Sequence, residues 1–240
     1  ITLAELADAQ LYVVHVSCCE AIQGIINARN RGLPVYAETC PQYLFLDVDY
    51  YALPEFEGAK YVMSPPLREK RHQECLWQAI QNRTIQTIGT DHCPFYFEGQ
   101  KDRGKDNFTK IPNGGPGVET RLGLLYTGGV QTERITINHF VDLISTSPAK
   151  LLGLYPQKGT IAPGSDADLI IFDPDVETLI SAMTHHSRAD YSLYEGMRVK
   201  GIPEIVFSRG DIIVEDGKFV GTPGRGQFLK RSPQPLISDS

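Results

Sequence analysis

The chain has 240 residues with 41% hydrophobic and 22% charged side chains, a composition that supports one large or two small globular domains. Its net charge of −6 argues against a nucleic-acid partner or an anionic membrane surface, and no basic stripe interrupts that balance. No apolar run approaches the roughly 20 residues of a membrane helix. Five scattered cysteines without a C-x-x-C pair predict free thiols and a reduced, cytoplasmic setting.

The first residues, Ile1, Leu3, Leu6 and Ala7, read as one apolar side of a helix, so the sequence opens inside an element and is expected to be part of a longer chain. Leu11 to Val16 is a β-branched run suited to a buried parallel strand. Ser17 and Glu20 have the spacing of a capping box, and Ile22, Ile25 and Ile26 mark the helix that follows until Gly32 and Pro34 stop it. Val35 to Thr39 is the next strand. This β-α-β unit puts His15 at the C-terminal end of its strand, the functional end of such sheets.

Beyond a tyrosine-rich loop, Pro65 and Pro66 forbid helix and hold Ser64 extended. A surface helix is predicted over 69–82, with His72 near its start. The short run 84–88 then delivers Asp91. Residues 96–117 form a long polar loop, of the kind that is either functional or disordered. Helices are predicted over 118–126 and 136–145, with Ser147 capping a further one that has Pro148 at its first position. From residue 156 short strands alternate with turns, including an Asp216-Gly217 hairpin, and 221–240 reads as an extended arm.

Asp91 and His15 are the candidate chemistry. A carboxylate and an imidazole at the ends of parallel strands converge on one rim and suit a divalent metal, although an acid in a turn and a histidine in a core are the simpler readings of each alone. Catalytic zinc takes at least three protein ligands, so residues alone give half a metal site. His72, His139, His185 and His186 are assigned structural or solvent roles.

Five segments, in order, resemble the hydantoinase/dihydropyrimidinase family of metal-dependent cyclic amidohydrolases. They are Tyr12–Ser17, Ala37–Leu44, Met63–Arg68, Gly89–Phe95 and Asp106–Gly114, and Lys158–Asp168 continues the likeness. The resemblance implies an α/β fold: the C-terminal part of a (β/α)8 TIM barrel, about strands six to eight, over 1–155, then a small β-sandwich segment over 156–220. It implies two divalent metal ions, expected to be zinc, bridged by a carboxylated lysine outside this chain, with His15 and Asp91 as the ligands present here.

Under the same resemblance a metal-activated hydroxide opens the ring of a small cyclic amide or imide, a hydantoin or dihydropyrimidine. Asp91 is the catalytic proton carrier, and main-chain groups of Ser64 and Asn113 bind the substrate. The full-length parent is expected to be a homotetramer and this chain alone inactive. The alternatives are an allantoinase- or dihydroorotase-like hydrolase, or a non-catalytic scaffold of the collapsin-response-mediator type.

Overall fold

A parallel sheet of three short strands, β1 (Leu11–Val13), β2 (Val35–Thr39) and β3 (Thr87–Ile88), orders the first part of the chain. The computed structural model describes residues 1–232. Along β2, Val35, Ala37 and Thr39 are buried while Tyr36 and Glu38 are half-buried on the opposite face. Register pairs Tyr12 with Tyr36 and Glu38 with Thr87, so these four side chains share one face of the sheet. Past the strand ends the pairing continues: Val16 N–H donates to Glu38 O (2.8 Å), and Gly89 N–H to Thr39 O (2.9 Å).

The chain divides into two compact units, residues 1–125 with 179–199, and residues 126–178 with 200–240. In the first, helix α1 (Thr2–Leu6) leaves Leu3 and Leu6 over 80% exposed, so the apolar side read from the sequence is uncovered among the described residues. Helix α2 (Cys19–Arg29) buries Ile22, Ile25 and Ala28, and a short α3 (Pro41–Phe45) begins at its proline. Helix α4 (Arg71–Gln81) buries Leu76, Trp77, Ala79 and Ile80.

Two expectations are corrected where α2 meets α4. The capping box does not form: α2 starts one residue later than the pattern requires, with extended Cys18 before it and no side-chain cap, and the Ser17 hydroxyl instead accepts from Arg68 Nε at 3.4 Å. Of the structural and solvent roles open to His72 the structure has the first: it is buried, and its Nδ1 accepts the Cys19 N–H at 3.1 Å, satisfying a free amide of α2 from a neighbouring helix. Not all thiols are free. Cys19 and Cys75 form a disulfide, with Cα atoms 5.6 Å apart, because the packing of α2 on α4 brings together cysteines separated by 56 positions.

The loop after β3 is pinned rather than loose. It carries short 3-10 turns at Lys101–Gly104 and Phe108–Lys110. Asp190, far downstream, accepts the Phe97 N–H (2.7 Å) and the Glu98 N–H (3.0 Å) on its two carboxylate oxygens. Glu119 likewise takes the main-chain N–H groups of His186 and Ser187, together with the His186 ring. Segment 191–194 is buried, and Leu193 packs so near Gly115 that a Cβ there would fall 2.8 Å from its Cδ1. Helix α5 (Arg121–Leu125) is shorter than the sequence pattern.

In the second unit the helical path runs from a π-turn at Tyr126–Val130 to α6 (Ile137–Val141), a π-turn at Asp142–Thr146 and α7 (Ser147–Leu151). Ser147 therefore caps nothing. The helix enters it without a fresh N-terminus, and its hydroxyl donates to Asp142 Oδ1 (2.9 Å).

A four-stranded sheet follows in the order β4 (Ile170–Leu179), β5 (Arg198–Ser208), β6 (Asp211–Glu215), β7 (Lys218–Phe219), the last three antiparallel. Asp216 (φ 50°) and Gly217 (φ 69°) make the hairpin turn expected there. In this unit Tyr126 meets Phe140 and Phe172 edge-on, and those two rings are tilted against each other. Of the arm expected over 221–240, residues 221–232 carry neither helix nor strand, and the rest lies outside the described residues. No helix among the described residues is long and apolar enough to cross a membrane.

Candidate active site

His15 lies two residues beyond β1 and Asp91 three beyond β3, and both turn out of their strands through left-handed backbone, φ 56° and 49°. Such geometry costs about 1 kcal/mol or more in a non-glycine residue and gathers at functional sites. It is held here by the strand ends on either side: Thr39 Oγ1 donates to Val16 O (2.7 Å), and buried Gln42 donates to Thr90 O (3.3 Å).

The two side chains meet. His15 Nε2 lies 3.7 Å from Asp91 Oδ1, and both groups are partly open to solvent. A metal such as zinc bonds imidazole nitrogen and carboxylate oxygen at about 2.1 Å each, so one ion can touch both atoms. The donor chemistry and the spacing fit the divalent ion expected from the sequence.

His15 Nδ1 faces the other way, 3.1 Å from Glu38 Oε1 and 3.4 Å from Cys40 Sγ. His15, Glu38 and Cys40 thus form a tight group of possible ligands among the described residues. Burial, then the carboxylates of Glu38 and Asp91, push the Cys40 thiol far up, and Cys40 is itself fully buried beneath the imidazole. The group is better read as support for the imidazole than as a metal cage. Sequence reasoning passed over Glu38 and Cys40; the signal was the period-two placement of Glu38 on the His15 side of β2.

Ser64 and Asn113 are also brought together, with Ser64 Oγ donating to Asn113 Oδ1 at 3.1 Å. Behind them Val62 O accepts both the Gly114 N–H (3.0 Å) and the ammonium of fully buried Lys101 (3.0 Å). His92 bridges to Gly115, and Cys93 N–H donates to Gly115 O (3.2 Å), so the stretch after Asp91 runs beside the stretch after Asn113. His92 Nδ1 accepts from Gly117 and Val118 N–H, at 3.1 and 3.2 Å, which commits that ring to holding the loop.

A histidine and an aspartate thus meet beyond the C-terminal ends of β1 and β3, and the chain belongs to the amidohydrolase family, whose model matches residues 51–213. Within that family it is 60% identical over 230 residues to a D-hydantoinase of Geobacillus stearothermophilus, covering 96% of this chain and 49% of that one. A dihydropyrimidinase structure from Brevibacillus agri superposes with a TM-score of 0.96 at 55% identity, over 98% of this chain and 51% of that one. An L-hydantoinase structure from Arthrobacter aurescens gives 0.87 at 35% identity, over 96% and 50%. The chain spans about half the length of the curated relatives it matches.

Proposed function

We propose that this chain supplies the later half of a metal-dependent hydrolase that opens the ring of hydantoins or dihydropyrimidines. The observation that carries the reading is the approach of His15 Nε2 to Asp91 Oδ1 at 3.7 Å. The relatives named D-hydantoinase and dihydropyrimidinase support it, and their doubled length supports a partner half that brings the remaining ligands. In this reading β1, β2 and β3 are strands six to eight of a (β/α)8 barrel within 1–155, residues 156–220 belong to a β-sandwich, and the whole protein is a homotetramer.

His15 and Asp91 would hold one or both of two divalent ions, zinc by expectation, with a carboxylated lysine from the other half between them. When bound, such ions lower the pKa of water toward neutrality and polarise the ring carbonyl. Asp91 takes the proton of the attacking water and returns it to the ring nitrogen as the C–N bond breaks, a general base that becomes a general acid. Main-chain groups at Ser64 and Asn113 meet the alternating N–H and C=O of the imide edge. The side-chain bond between the two residues supports that assignment by holding their two loops side by side.

The test is Asp91→Asn in the full-length protein. It keeps the shape and removes the proton carrier, and kcat/KM for hydantoin is expected to fall by about 100-fold to 10,000-fold. Near-normal turnover would overturn the reading. The 240-residue chain alone is expected to show no hydantoin hydrolysis.

A further inference from the structure

One line of polar side chains runs behind the site without a task in the mechanism above. Tyr12, Glu38 and Thr87 share a face of the sheet, one from each strand. The Tyr12 hydroxyl donates to Glu38 Oε2 at 2.8 Å and lies 2.6 Å from Thr87 Oγ1. The other carboxylate oxygen, Oε1, is the one 3.1 Å from His15 Nδ1. With an oxygen committed on each side, the carboxylate cannot rotate without losing a partner.

Gly89 completes the lock. A Cβ at that position would stand 2.7 Å from Glu38 Cδ and 2.8 Å from each of its oxygens. Gly89 is absent from the positive-φ residues, so the glycine is there for clearance, not for backbone freedom. The strand that delivers Asp91 therefore gives up a side chain to make room for the group behind His15. The half-buried Arg121 guanidinium, which donates to Ile88 O at 3.0 Å, is within electrostatic reach of Glu38 and offsets its charge.

A glutamate carboxylate accepts and does not donate, so the ring proton of neutral His15 belongs on Nδ1 and the lone pair on Nε2, the atom that faces Asp91. We propose that Glu38 is a positioning residue that fixes His15 in its Nδ1–H tautomer and aims Nε2 at the metal position. Tyr12 and the missing side chain of Gly89 hold Glu38 in place. The tautomer half of this inference stands on the 3.1 Å approach of Glu38 Oε1 to Nδ1, beside which Cys40 Sγ lies at 3.4 Å; the metal half rests on the site reading above.

The experiment uses the full-length protein with two readouts: histidine ring 15N correlations in the metal-free state, and zinc affinity by competition titration. His15→Asn identifies the His15 signals. Wild type is expected to show a single Nδ1–H tautomer. Glu38→Ala is expected to give mixed tautomers and an affinity about 10-fold to 100-fold weaker. Gly89→Ala, which displaces the carboxylate, follows it. Glu38→Gln keeps an acceptor oxygen for Nδ1–H and is expected to restore both readouts; Tyr12→Phe is expected to shift both in the direction of Glu38→Ala and by less.

An unchanged His15 tautomer in Glu38→Ala overturns the proposal. Should His15→Asn leave zinc binding untouched, the metal assignment of His15 falls, and the tautomer readout still decides the role of Glu38.

Discussion

Ser64 and Asn113, separated by 49 positions, are joined side chain to side chain at 3.1 Å on the exposed side of their loops. Breaking one exposed hydrogen bond costs about 1 kcal/mol or less, so Asn113→Ala is expected to leave the fold intact. Its effect should fall on substrate placement: KM for hydantoin rises several-fold while kcat stays close to wild type. Steady-state kinetics on the full-length protein checks this, and a large loss of kcat with unchanged KM would count against a binding role.

The glycine next to Asn113 is a firmer constraint. Gly114 has φ 131°, and a Cβ on it would lie 2.6 Å from Cys93 O. Both the backbone and the neighbour oppose a side chain, so Gly114→Ala is expected to cost about 1–3 kcal/mol in urea unfolding. An alanine variant as stable as wild type would show that the two stretches are free to separate.

Lys101 makes stability depend on pH. Burial pushes its ammonium down to about 8, with the nearby Cys93 pulling weakly the other way, against about 10.4 in an unfolded chain. Between those values the unfolded state binds the extra proton, so the lysine's contribution to stability rises with pH from about 8 to about 10. Above that range Tyr61, pushed up to about 12 chiefly by burial, acts in the opposite sense. Lys101→Met removes the first effect alone. The variant should compare best with wild type near pH 7 and lose ground, by about 3 kcal/mol at most, as pH approaches 10. Denaturant titrations of both proteins across that range measure the difference.

The Cys19–Cys75 bond closes a loop of 56 positions between two helices. A cross-link of this span stabilises by about 2–4 kcal/mol, mostly by restricting the unfolded chain. Reductant should lower the melting temperature of wild type and leave Cys75→Ser unmoved. Equal melting of wild type with and without reductant would sink the prediction.

The reach of sequence reasoning follows from what each residue depends on. His15 and Asp91 were legible because a strand's end is a local property: an apolar run stops and a polar residue follows. Their left-handed φ values were not, since nothing local demands them of a histidine or an aspartate. Glu38 was visible as a strand residue but not as the partner of Nδ1, because that contact depends on the register between β1 and β2. Which of its two roles His72 takes was hidden for a similar reason: its partner is an amide at the start of another helix. Ser17 and Ser147 fit cap patterns by spacing, and each failed when the helix began elsewhere.

The hold of Asp190 on Phe97 and Glu98 has a consequence for the order in which the protein is made. The anchor lies 93 and 92 positions after the residues it grips. At roughly 5–20 residues per second, a ribosome needs about 5–20 s to reach it. Through that interval the loop beside Asn113 exists without its clamp, open to proteases and chaperones alike. The loop that follows Asp91 is thus finished from downstream, by a carboxylate that emerges after the strands it serves have already been synthesised.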